Sequence, residues 1–210
     1  CRALKPAPPP WCPKAKPSTA TTSNSSDFPA SFSPLISTSV PLWVLGMHRS
    51  GTSFCVRALQ RHGLRLPPNL LPPAADNPDG FQESADLVAL NEAWLAVAGA
   101  AWDASWPLHL QCHQADHDRR SGLARETRRL LHAWCAPAAA GSALALKDPR
   151  LCRTLPQLTE ALGPPWLRCG IGVVRHPAAV VASIGYRDDM PALKALALWL
   201  RHNLEMVQSR

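Results

Sequence analysis

The run Gly46-Met47-His48-Arg49-Ser50-Gly51-Thr52-Ser53 carries the sharpest chemical signal in the chain. It follows a short apolar stretch and opens one with helical spacing, the setting in which a glycine-bounded loop cradles phosphate on backbone N–H groups. Against the pattern GxxxxGK[ST], both glycines and the final hydroxyl are in place, but Thr52 stands where lysine belongs. That lysine reaches the β- and γ-phosphates of a nucleoside triphosphate, so its loss counts against ATP or GTP hydrolysis. Arg49, inside the loop, offers a fixed cation with a planar fork instead. The bland alternative is a glycine turn that only joins two elements. The strand before and the helix after make the match specific.

A second constellation is Val174-Arg175-His176-Pro177 followed by Ser183. Arg175 leaves the end of a strand and Ser183 lies eight residues on, about two helical turns, so both can converge on one anion beside the first loop. Such a pair is common in sequences, and the neighbouring loop gives it weight. A rival set, His109, Cys112, His113, Asp116 and His117, has spacings of three and four that suit a shared helix face and Zn²⁺. It lies apart from the other motifs and reads better as a polar helix start, so no metal is expected. Trp94, Trp102, Trp106 and Trp134 are read first as core filling and second as sugar-stacking rings.

These residues need elements to hold them. Leu42 to Leu45 reads as a buried strand ended by Gly46, and Thr52 to His62 as a helix stopped by Gly63. Pro67 to Gly80 is loop, and helices are expected over Ser84–Ala98 and Gln114–Ala136. Leu144 to Leu146 forms a second strand ending at Lys147-Asp148-Pro149-Arg150, with a helix from there to Leu162. Cys169 to Val174 is expected as a third buried strand. Pro177 then starts a helix running to Tyr186, and Met190 to Gln208 forms the last. Strands alternating with helices, polar at each strand's C-terminal end, imply an α/β fold with a parallel sheet and its site along that edge.

Residues 1–40 differ from the rest: eight Pro and twelve Ser/Thr fill half of them, a composition that cannot offset the entropy of ordering. They read as a linker or stalk, with residues 41–210 as the folded domain, truncated at its C-terminus. Asn24-Ser25-Ser26 is a glycosylation sequon that matters only in a lumen. The 210 residues are 46% hydrophobic and 18% charged, which excludes global disorder, and no apolar stretch is long enough to cross a bilayer. The net charge of +7 suits an anionic partner. Nucleic acid is disfavoured, because no stripe of basic and aromatic residues accompanies that charge. Seven cysteines without a CxxC pair read mainly as small buried hydrophobes.

Together the Arg49-Ser50-Gly51-Thr52-Ser53 loop and the Arg175/Ser183 pair resemble the sulfotransferases that use 3′-phosphoadenosine 5′-phosphosulfate (PAPS). Gly46 to Ser53, Leu146-Lys147-Asp148-Pro149-Arg150 and Val174-Arg175-His176-Pro177 look most like the bacterial-type branch and the carbohydrate- or protein-directed enzymes. The resemblance covers roughly residues 42–210. It implies a three-layer sandwich of the P-loop type, with Arg49, Ser50, Gly51, Thr52 and Ser53 on the 5′-phosphosulfate, Arg175 and Ser183 on the 3′-phosphate, and no metal. Glu83, between a loop and a helix, falls where related enzymes place a general base, with His48 second; a first-turn carboxylate favoured by the helix dipole is the plainer reading. By analogy Lys147 and Arg150 hold the sulfonate or an anionic acceptor, against a salt bridge to Asp148.

The expected reaction is transfer of a sulfonate to a hydroxyl on a carbohydrate or a protein tyrosine. A P-loop kinase or NTPase and a catalytically silent nucleotide-binding module are the alternatives. Members of this family in the Golgi lumen carry an anchor and a stem like residues 1–40, whereas the bacterial-type branch is often cytoplasmic, so the compartment stays open. Any membrane attachment would come through an anchor outside these residues.

Overall fold

The computed structural model describes residues 40–108, 117–136, 143–167 and 169–209. The linker read over 1–40 therefore lies, but for Val40, outside the described residues. Three parallel strands form the sheet: β1 (Leu42–Leu45), β2 (Ala145–Lys147) and β3 (Gly170–Gly172), in the order β2-β1-β3. Around them run α1 (Thr52–Arg61), α2 (Ala85–Val97), α3 (His117–Cys135), α4 (Leu151–Leu162), α5 (Pro177–Asp188) and α6 (Ala192–Gln208). The expected mixed α/β fold with a parallel sheet is what the structure has. No helix among the described residues is long and apolar enough to cross a membrane.

Central β1 explains its own sequence. With a strand on either side and helices packed around it, all four residues are buried, so Leu-Trp-Val-Leu carries no polar position. The register pairs Val44 with Lys147 on one side and with Ile171 on the other. The chain passes from β1 to β2 on one flank and then to β3 on the other. The loop after β1 therefore sits where the strand order reverses, the place where open α/β sheets bind ligands.

The third strand corrects the sequence reading. Only Gly170 to Gly172 pairs, and its glycines are exposed while Ile171 is half-buried. Among the described residues β3 has β1 on one side and no strand on the other, so the stretch expected to be buried lies at an edge.

One large cluster, including Trp43, Leu87, Leu131, Leu146 and Leu155, packs α2, α3 and α4 against the sheet. A second matters more for the site: Met47 of the loop is fully buried among Val180 and Ile184 of α5 and Ala195 and Leu198 of α6. Burying a side chain of that size is worth about 1.5–3 kcal/mol. It pins the loop onto α5 and so fixes Arg49 opposite Ser183. Cys135 and Cys152 are buried, as expected of small hydrophobes, whereas Cys55 and Cys169 are only half-buried; Gly46 N–H donates to Cys152 Sγ at 3.1 Å.

Candidate functional site

Two glycines shape the loop for different reasons. At Gly46 the backbone passes so close to its neighbours that a Cβ would lie 2.6 Å from the Val173 carbonyl oxygen and 2.7 Å from Thr52 Cγ2. Gly51 precedes α1 with φ of 94°, a left-handed conformation that glycine adopts without strain. Arg49 also has positive φ, 66°, which turns its side chain toward α5. No side chain caps α1, so its first-turn N–H groups remain available to an anion at the positive end of the helix. Ser50 is buried and its Oγ has no hydrogen-bond partner among the described residues.

The two sequence motifs meet at Arg49. Its Nε donates to Ser183 Oγ at 2.8 Å, and Arg175 donates to the Arg49 carbonyl oxygen at 3.0 Å. Arg175 is exposed, at the rim, and Trp199 Nε1 donates to its carbonyl at 2.9 Å. Asp76 lies 3.5 Å from the Arg49 guanidinium, on the loop between α1 and α2.

These groups border an open cleft of about 220 Å³. His48, Arg49, Gly51, Thr52, Ser53, Glu83, Lys147 and Arg175 all line it, while Ser50 lies beneath and Ser183 reaches it through Arg49. Arg150 is not among the lining residues; it stands behind Glu83, paired with Asp148 at 3.0 Å and with Glu92 at 2.6 Å. The salt bridge weighed against substrate binding is thus present for Arg150, and Asp148 is fully buried.

Glu83 and Lys147 form a buried ion pair, 6% and 4% exposed. Lys147 Nζ also donates to Ser53 Oγ at 3.3 Å and to the Phe81 carbonyl at 3.1 Å, so one ammonium ties the loop hydroxyl to the carboxylate. Burial pushes the Glu83 carboxyl above the usual carboxylate range; Lys147 and Arg150 oppose that shift and Asp148 adds to it. Desolvation holds His48 well below an ordinary histidine, helped by His202, Arg150, Arg187 and Lys147. Its Nε2 is shut off from solvent without a partner, and its ring packs on Trp102 with centroids 4.7 Å apart. His48 is therefore a neutral imidazole at pH 7.

Phe54, Arg57 and Arg187 are among the lining residues that sequence reasoning did not single out. Phe54 is 71% exposed. Arg187 follows Ser183 by four residues, and that one-turn spacing was the available signal. Of the tryptophans, Trp94 and Trp134 are core, Trp102 packs on His48 and Trp106 is exposed. His109, Cys112, His113 and Asp116 lie outside the described residues and His117 opens α3; among the described residues no three metal-ligating side chains cluster.

Compared with known proteins, the chain matches no family model, no curated protein and no solved structure.

Proposed function

We propose that this chain is a PAPS-dependent sulfotransferase of the P-loop type, acting on a hydroxyl of a carbohydrate or a protein tyrosine. The observation that carries the reading is the meeting of the loop with Arg175 and Ser183 at Arg49, across more than 120 residues of sequence. Two anion-binding features side by side suit a ligand with two separated anionic groups, as PAPS has. The loop takes the phosphosulfate on the amides of Gly51, Thr52 and Ser53 and on Arg49, while Arg175 and Ser183 hold the 3′-phosphate. A cleft of about 220 Å³ is smaller than the ~300–1,000 Å³ of a site enclosing a whole ligand, so it houses the charged end and leaves the base outside. The exposed ring of Phe54 lies at the mouth to receive it.

PAPS supplies an activated sulfonate whose sulfur is open to in-line attack. In that displacement the acceptor oxygen bonds to sulfur, the bond from sulfur to the phosphate oxygen breaks, and negative charge collects on that leaving oxygen. Arg49 and the loop amides stabilise the leaving charge without moving. Glu83 takes the acceptor's proton, and its burial raises its proton affinity toward that of a working base. Lys147 spans the distance between them, from the loop hydroxyl to the base.

Calorimetric titration of the chain with 3′-phosphoadenosine 5′-phosphate, in parallel with ATP–Mg²⁺, tests the reading. Micromolar binding of the bisphosphate, weakened in Arg49→Ala and Arg175→Ala, is expected. Preference for ATP–Mg²⁺ would favour a kinase or NTPase, and binding of neither would remove the basis for the proposal.

A further inference from the structure

Behind Glu83 lies a chain of polar contacts that begins at Thr154 and Asn91, outside the sequence motifs, and runs through Asp148 and Arg150. Asn91 projects from α2 and is fully buried. Its Oδ1 accepts from Thr154 Oγ1 at 2.7 Å, and its Nδ2 donates to Asp148 Oδ2 at 2.9 Å. The other oxygen, Asp148 Oδ1, accepts from the Arg150 backbone N–H and from its Nη1, both at 3.0 Å. Arg150 Nη1 in turn stands 4.0 Å from Glu83 Oε2. A buried carboxamide costs free energy unless its polar atoms are bonded, and here both ends have a partner. Asp148 fixes which way round the amide lies, because its carboxylate only accepts and so takes the NH₂ group, which turns the amide oxygen to the Thr154 hydroxyl.

We infer that Asn91 is a positioning residue which, through Asp148 and Arg150, controls how readily Glu83 takes a proton. The inference rests on the reading of Glu83 as the base. Asn91 occupies one oxygen of Asp148, so that carboxylate draws on Arg150 through its other oxygen alone and leaves the guanidinium within reach of Glu83. Without Asn91, Asp148 turns both oxygens toward Arg150 and pulls it from Glu83. The carboxylate form of Glu83 then loses part of its support, and its titration moves up. The charges facing Glu83 from its own side are Lys147 and Asp148 at the end of β2, and Glu92 on α2 through Arg150. Across the cleft stand His48, Arg49, Arg57, Arg175 and Arg187.

Carbon-13 carboxyl titration of the intact chain, with the Glu83 signal assigned by Glu83→Gln, reads this directly and needs no substrate. In Asn91→Ala the Glu83 midpoint is expected to rise by roughly 0.5–1 unit. Thr154→Val keeps the shape of the side chain and removes the brace on Asn91 together with the hydroxyl's contact to the Arg150 carbonyl oxygen, so a smaller rise is expected, and this variant decides the matter if Asn91→Ala does not fold. Midpoints within about 0.2 unit of the unmodified chain in the folded variants would overturn the inference. With PAPS and an accepted hydroxyl, the acid limb of the pH–rate profile should move with the midpoint. Absence of sulfonate transfer in the unmodified chain would count against the proposed reaction, while the titration would still judge the relay.

Discussion

Replacing Lys147 by methionine removes the charge beside Glu83 while keeping most of the stem, and the structure sets a limit on the cost. Breaking a buried pair by removing one partner typically costs about 3–5 kcal/mol, since the other charge is left uncompensated. Glu83 has an escape, which is to take up a proton. From an unfolded value near 4.3, holding a proton at pH 7 costs about 3.5 kcal/mol, and at pH 5 only about 1 kcal/mol. The charge-dependent loss therefore cannot exceed those figures. A further loss of about 1 kcal/mol, independent of pH, comes from the Phe81 carbonyl and Ser53 hydroxyl that lose their donor. The sign follows from linkage: the variant's Glu83 titrates above its unfolded value, so the unfolded chain sheds its proton first and the variant weakens as pH rises from about 4.3. Urea unfolding followed by tryptophan fluorescence at pH 5 and pH 7, on the variant and the unmodified chain, gives the difference at each pH. A difference at pH 7 no larger than that at pH 5 would refute the reasoning.

Other outcomes follow from the same geometry. Gly46→Ala should destabilise by at least about 2 kcal/mol in a thermal melt, because the new methyl meets backbone at Val173. Burial puts His202 at about 4 and holds His48 well below its ordinary value. Their neutral forms are those the fold accepts, so stability is complete above about pH 6.5 and falls as the pH drops toward 4; a urea midpoint unchanged across that window would contradict it. Arg153, buried against Glu205 and donating to the carbonyls of Ala104 and Trp106, anchors the segment that follows α2; Arg153→Met should cost about 3–5 kcal/mol in the same unfolding assay.

The loop, its flanking strand and helix, and the Arg175–Ser183 pair were legible in the sequence because glycine positions, an unbroken apolar run and a fixed spacing are local signals. Met47, whose side chain seats the loop on α5 and α6, had no such signal: one methionine among polar residues does not announce its burial. Glu83 and Lys147 were each picked out, but their pairing across 64 residues follows from the segment ahead of α2 passing the C-terminal end of β2, which no spacing encodes. Asn91 looked like any polar residue on an amphipathic helix. The edge position of β3 was hidden for a related reason, since burial of a short apolar strand depends on neighbours that its own residues do not specify.

The most direct test of the central claim compares two nucleotides that differ only in the 3′-phosphate: 3′-phosphoadenosine 5′-phosphate and adenosine 5′-phosphate, titrated into the same chain. At least a tenfold preference for the bisphosphate is expected, about 1.4 kcal/mol. Arg175→Ala should erase that preference, while Arg49→Ala should weaken both nucleotides. Equal affinity for the two, or a preference that survives loss of Arg175, would contradict a site built for separate 5′ and 3′ anions.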